Sequence, residues 1–68
     1  MNIKDENIGR TKLEYDSGSV IYKGIHKDVN ASEGSIDWWI YKYTYDGTDI
    51  TDIQEQQGSW TGRATLNW

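Results

Sequence analysis

The chain has 68 residues, a net charge of −4, no Cys, one His and only 35% hydrophobic residues. A chain this short forms one domain at most, and such a domain buries only about 60% of the surface its unfolded form exposes. With no Cys, disulfides and Cys-ligated zinc are excluded; one His excludes a His cluster within a chain; and the acidic balance argues against duplex nucleic acid and anionic membranes, which need clustered Lys or Arg.

Residues 1–10 carry Ile3 and Ile8 among polar and charged side chains and read as an extended arm, leaving residues 11–68 as a single β domain. No apolar stretch follows Met1, so no secretory signal is expected. Leu13 and Tyr15 alternate with polar residues, Asp16-Ser17-Gly18-Ser19 supplies turn chemistry, and Val20-Ile21-Tyr22 resumes an apolar run, which predicts a hairpin. Gly24 marks a bulge or a strand end. Residues 26–35 form a polar loop that holds His26, and loops of that length are often functional.

Residues 36–45 are the strongest predicted strand, rich in β-branched and aromatic side chains and spanning roughly 33 Å. Their Trp38-Trp39-Ile40-Tyr41 run is the longest apolar one, far short of a membrane span. Period two sends Trp38, Ile40, Lys42 and Thr44 to one face and Trp39, Tyr41, Tyr43 and Tyr45 to the other. Asp46-Gly47-Thr48-Asp49 is a turn, Ile50 and Ile53 lie in the returning strand, and residues 54–58 are a polar loop. Trp60 and residues 63–68 supply a last strand. The expected fold is all-β, an antiparallel sheet or small barrel of four to five strands.

The core is expected from Ile21, Trp38, Ile40, Ile53, Trp60 and Leu66. Four Trp and five Tyr against no Phe give every aromatic a polar handle, a composition suited to interfaces. Trp39, Tyr41, Tyr43, Tyr45 and the terminal Trp68 are therefore the expected protein-interface residues, with Trp68 docking against a neighbour or back onto the sheet. Sugar stacking is the competing use of such a face; for single-stranded nucleic acid, Lys42 is the one cation in the strand and lies on the other side.

The remaining candidates carry less chemistry. Asp46, Asp49 and Asp52 recur every third residue, which does not match the alternate-position acids and distal Glu of an EF-hand, so no metal is expected. With no Cys and no base-orienting group identified for His26, no catalytic residues and no cofactor are expected. Arg63 is placed to stack on Trp60 or to pair with Asp37 or Asp46.

In order along the chain stand Tyr15-Asp16-Ser17-Gly18, Tyr22-Lys23-Gly24, Trp38-Trp39-Ile40-Tyr41-Lys42-Tyr43-Thr44-Tyr45-Asp46, Ile50-Thr51-Asp52-Ile53 and Trp60-Thr61-Gly62-Arg63-Ala64-Thr65-Leu66. Over residues 14–68 this set resembles the short virion structural proteins of tailed bacteriophages, with their W-x-I-x-K-x-T-Y-D and W-x-x-R-A-x-L segments. The resemblance implies a non-enzymatic virion component assembled in the host cytoplasm, with a head decoration (cement) protein as the leading expectation. Its partners would be other virion proteins, the major capsid protein first, and copies of itself. A carbohydrate- or receptor-binding β module displayed on a particle is the alternative.

Overall fold

Two short turns decide how the chain folds. A computed structural model describes residues 9–68. Strands β1 (Arg10–Asp16) and β2 (Ser19–His26) are joined at Ser17-Gly18, and β3 (Trp38–Asp46) and β4 (Asp49–Gly58) at Gly47-Thr48. Ser17 and Gly18 both take positive φ, 55° and 87°, the pattern of a type I′ hairpin, whose twist matches that of its strands. Gly47 takes φ 65° at the first central position of the second turn, where a II′ hairpin places glycine. The strands pair antiparallel in the order β1-β2-β3-β4, an open four-stranded meander rather than a barrel.

Several boundaries differ from the sequence-based expectation. Arg10 already pairs with His26, so residue 10 belongs to the sheet, and residues 1–8 of the expected arm lie outside the described residues. The strand expected from residue 36 starts at Trp38, and His26 closes β2 rather than opening a loop. Residues 54–58 are not a loop: they continue β4 and pair as far as Trp38↔Gly58, because the start of β3 presents backbone groups that need partners. Residues 63–68 do not add a strand. They form a 3-10 turn (Arg63–Thr65) and an extended tail that lie across the sheet, with local backbone bonds such as Thr65 N–H to Gly62 O at 3.0 Å.

The pairing rows fix which side chains share a face. Lys12↔Gly24, Gly24↔Ile40 and Ile40↔Gln56 form one row, and Glu14↔Tyr22, Tyr22↔Lys42 and Lys42↔Gln54 the next. Trp38, Ile40, Tyr22 and His26 therefore face the same way, and residues 27–37 and 59–68 cover that side. Trp38 and Ile40 are fully buried, with Trp60 and Ala31 beside them and Tyr22, Leu66 and Trp68 packed at the edge. Trp38, Ile40 and Trp60 are buried as expected, whereas Leu66 packs only at the edge of the core.

Gly24 makes that cover possible. The Trp60 ring lies directly on its backbone: a Cβ there would sit 2.6 Å from Trp60 Cε3 and 3.1 Å from Trp38 Cε3. The two indoles pack at 6.2 Å and the His26 imidazole meets Trp38 edge-on at 5.3 Å, geometries favoured by aromatic quadrupoles. The cover is then tied down by polar contacts. Trp38 Nε1–H donates to Ser32 O at 2.8 Å and Thr61 N–H to Glu33 O at 3.0 Å.

Ile21 and Ile53 are not core residues. Each hairpin has a register shift near its turn, between Glu14 and Tyr15 and between Thr44 and Tyr45. Without the shift, Ile53 would oppose Lys42 and face the core; with it, Ile53 opposes Tyr43 and is 55% exposed. In the first hairpin the same shift brings Tyr22 opposite Glu14 and leaves Ile21 as the extra residue, turned to the other side. A one-residue slip moves every later side chain to the opposite face, and a bulge is such a slip built in.

Candidate functional site

On the second face of the sheet the rows read Thr11, Ile25, Trp39, Gln57; then Leu13, Lys23, Tyr41, Glu55; then Tyr43 beside Ile53, and Tyr45 beside Ile50, with Tyr15 beside Val20 in the first hairpin. β-branched and aromatic side chains suit a pleated surface, and here they fill it from both hairpins. Among the described residues nothing covers them. Leu13, Tyr15, Trp39, Ile50 and Ile53 are all roughly half or more exposed, from 46% to 60%. A side chain left in water on one surface and apolar over several adjacent strands is the pattern of an interaction site, since monomers rarely expose contiguous apolar patches beyond a few hundred Å².

Trp39, Tyr41, Tyr43 and Tyr45 thus lie together on this face, as their spacing predicted. Sequence reasoning missed the residues that extend it: Leu13, Tyr15, Ile25, Ile50 and Ile53. Leu13, Tyr15 and Ile25 could have been found from alternation once the hairpin register was known; Ile50 and Ile53 needed the bulge. Tyr45 is partly committed within the chain, its hydroxyl donating to Val20 O at 2.7 Å.

Trp68 takes the second of its two expected placements, back on its own sheet, and is no part of the open face. It lies on the covered face, where its ring centroid is 6.2 Å from that of Tyr22 and Lys42 Nζ sits 5.9 Å above the ring. Its indole N–H donates to Arg63 O at 2.8 Å and Gln56 Nε2 reaches Asn67 O at 2.9 Å, so the chain end is tied to its own sheet. The reason is supply. The covered face has few aliphatic residues, and folding the terminal indole back completes it.

Arg63 stacks on Trp60 at 4.4 Å, as expected, but its carboxylate partner is Glu14, with Nε to Oε1 at 2.7 Å, rather than Asp37 or Asp46. That pair joins the last segment to the first strand. Glu33 does the same for the long loop, accepting from Lys12 Nζ at 3.1 Å and lying 3.7 Å from Arg10.

His26 and Ser35 have the separation of a nucleophile and its base, Nε2 to Oγ 3.1 Å. The hydrogen bonds assign the proton the other way. Asp28 N–H donates to Nδ1 at 3.0 Å, so Nδ1 is the acceptor and the neutral ring carries its hydrogen on Nε2, which donates to Ser35 Oγ. A ring in that tautomer does not accept the Ser35 proton, and the serine oxygen also receives Asp37 N–H at 3.3 Å. The pair anchors the loop between β2 and β3.

Asp46 and Asp49 face each other across the second turn, and Asp52 opposes Thr44. Among the described residues no three His, Cys, Asp or Glu side chains converge as a metal set. Among the described residues no helix is long and apolar enough to cross a membrane. No protein-family model, curated protein or solved structure matches this chain.

Proposed function

We propose that this chain is a non-enzymatic structural subunit that acts by docking its open sheet face on a neighbouring protein chain, as an accessory protein of a tailed-phage virion. Head decoration is the role this reading favours, stabilising the shell through aromatic contacts between subunits. The observation that carries it is the uncovered face itself. It is built on a four-stranded sheet and lined by Trp39, Tyr41, Tyr43 and the half-exposed Leu13, Tyr15, Ile50 and Ile53. Aromatic anchors of this kind dominate binding energy at protein interfaces, at about 2 kcal/mol or more each. The virion setting rests on the ordered motifs from Tyr15 to Leu66. Many equivalent copies on one particle make modest affinity at each site sufficient.

The test is occupancy. Purified particles of the source virus are stripped of the protein and re-incubated with wild type, Tyr41→Ala or Tyr43→Ala, each first shown to fold. Wild type is expected to rebind and both variants to fall to a small fraction of its level. If both fold and occupy the particle like wild type, the face is not the assembly surface. Retention of a glycan by the folded, isolated protein, lost in Trp39→Ala, would favour the sugar-binding alternative instead.

A further inference from the structure

The open face carries two charges, and their placement selects an occupant. Lys23 and Glu55 flank Tyr41 in one row, one strand away on either side, because Lys23↔Tyr41 and Tyr41↔Glu55 are direct pairs. Among the described residues neither takes part in an ion pair within the chain. Among the described residues every other side chain of this face is apolar, aromatic or neutral. A face with one cation and one anion placed symmetrically about a central aromatic is complementary to itself.

We infer that the occupant of this face is a second copy of the chain, packed sheet to sheet about a two-fold axis that runs along β3 over Tyr41. This rests on the reading above that the face is an assembly surface, and names what covers it. An axis along β3 lays β2 of each copy over β4 of the other and sets Tyr41 against its own symmetry mate. Lys23 then meets Glu55 of the second copy, and Glu55 meets Lys23, giving two equivalent ion pairs within the contact. Sheets stacked about 10 Å apart leave a gap that a lysine and a glutamate span together.

The other simple two-folds fail on charge. An axis between β2 and β3 puts Lys23 over Tyr41 and leaves Glu55 pressed on Leu13 without a partner. An axis across the strands through this row sets Lys23 on Lys23 and Glu55 on Glu55. The same axis one row further along buries both charges among apolar side chains. An unpaired buried charge or a like-charge contact is strongly unfavourable, whereas an interface with paired charges keeps its register.

The area sets the strength. Three overlapping strands of about eight residues give roughly 400 Å² of flat face per copy. That is about half the roughly 800 Å² per partner of a standard specific contact, so a weak, reversible dimer is expected, dissociating well above micromolar concentration. β1, with Leu13 and Tyr15, lies at the rim of such a dimer.

Sedimentation equilibrium of the full chain over a wide concentration range reads this directly, with Lys23→Glu, Glu55→Lys and the double variant beside wild type. Wild type is expected to pass from monomer to dimer. Each charge reversal should weaken dimerisation about a hundredfold, because it creates two like-charge contacts at once. The double variant should return to within a few fold of wild type, since both pairs are restored with signs exchanged. Glu55 is exposed and Lys23 partly buried in the single chain, and urea unfolding of each variant verifies that its fold is kept. A wild type that remains monomeric at all concentrations overturns the inference, as does a dimer indifferent to the reversals or one the double variant does not rescue. A monomer whose Tyr41→Ala and Tyr43→Ala variants still lose particle occupancy would sink the dimer and leave the assembly surface standing.

Discussion

Replacing Gly24 by Ala tests whether the last segment closes over the sheet as described. The added Cβ would lie 2.6 and 2.9 Å from two atoms of the Trp60 ring and 3.1 Å from Trp38. Both rings are rigid and buried, and each is held by neighbours, Trp60 beneath Arg63 and Trp38 through its bond to Ser32. Neither gives way without moving the cover. Overpacking of this kind costs about 1–3 kcal/mol, and the narrower unfolded ensemble of Ala returns about 0.4–1 kcal/mol. The expected net loss is about 1–2 kcal/mol, which at a urea slope of about 1 kcal/mol/M lowers the midpoint by about 1–2 M. Two other glycines calibrate the result. At Gly58 the Cβ meets Leu66 Cδ2 at 2.6 Å, but that is the far end of a side chain that turns aside, so Gly58→Ala should cost clearly less. At Gly34 the Cβ meets nothing within 4 Å, and Gly34→Ala should be neutral or slightly stabilising. Unfolding is followed by Trp fluorescence in urea. If Gly24→Ala unfolds at the midpoint of Gly34→Ala or above, Trp60 does not lie on Gly24 and the packing argument is wrong.

Trp38→Ala removes the largest fully buried side chain and should cost about 3–5 kcal/mol, enough to abolish the cooperative urea transition of so small a domain. A variant ending at Asn67 loses the Tyr22 and Lys42 packing and the indole bond to Arg63, so its urea midpoint should fall, while sedimentation of the folded fraction matches wild type. Arg63→Lys keeps the charge but not the planar stack on Trp60 or the Nε bond to Glu14, a loss of about 1–2 kcal/mol in the same assay. Asp46, Asp49 and Asp52 are expected to act as turn and strand residues. Calcium or chelator should therefore leave the melting temperature unchanged, and a rise of several degrees with calcium would show a bound ion.

The open sheet leaves two edges, β1 and β4, without a neighbouring strand in the chain. The edge strand β4 is long, and an exposed long edge invites uncontrolled pairing. Along β4 stand Asp49, Asp52 and Glu55, and at the other edge β1 carries Arg10, Lys12 and Glu14. Charges at both edges oppose edge-to-edge pairing with another sheet.

Features that depend on local chemistry were legible from the residues alone. Ser17-Gly18 and Gly47-Thr48 carry the glycines that tight hairpins need, and the alternation in β3 is strong enough to separate Trp38 and Ile40 from Trp39, Tyr41 and Tyr43. Those features identified an all-β antiparallel fold and the two faces of its longest predicted strand, but left open whether it was a sheet or a small barrel. The tertiary structure decided how the other strands are phased onto β3. One extra residue in each hairpin turned Ile21 and Ile53 away from the core, and nothing in their own identity signals that, because both faces of a strand accept isoleucine. It also decided which face the irregular segments cover. Trp68 had the composition of an interface residue, yet the covered face lacked aliphatic bulk and the terminal indole was near enough to supply it. Burial is a property of the assembled sheet, set by what each side chain meets, and for a chain with so few apolar residues that meeting is fixed only when the last segment folds back.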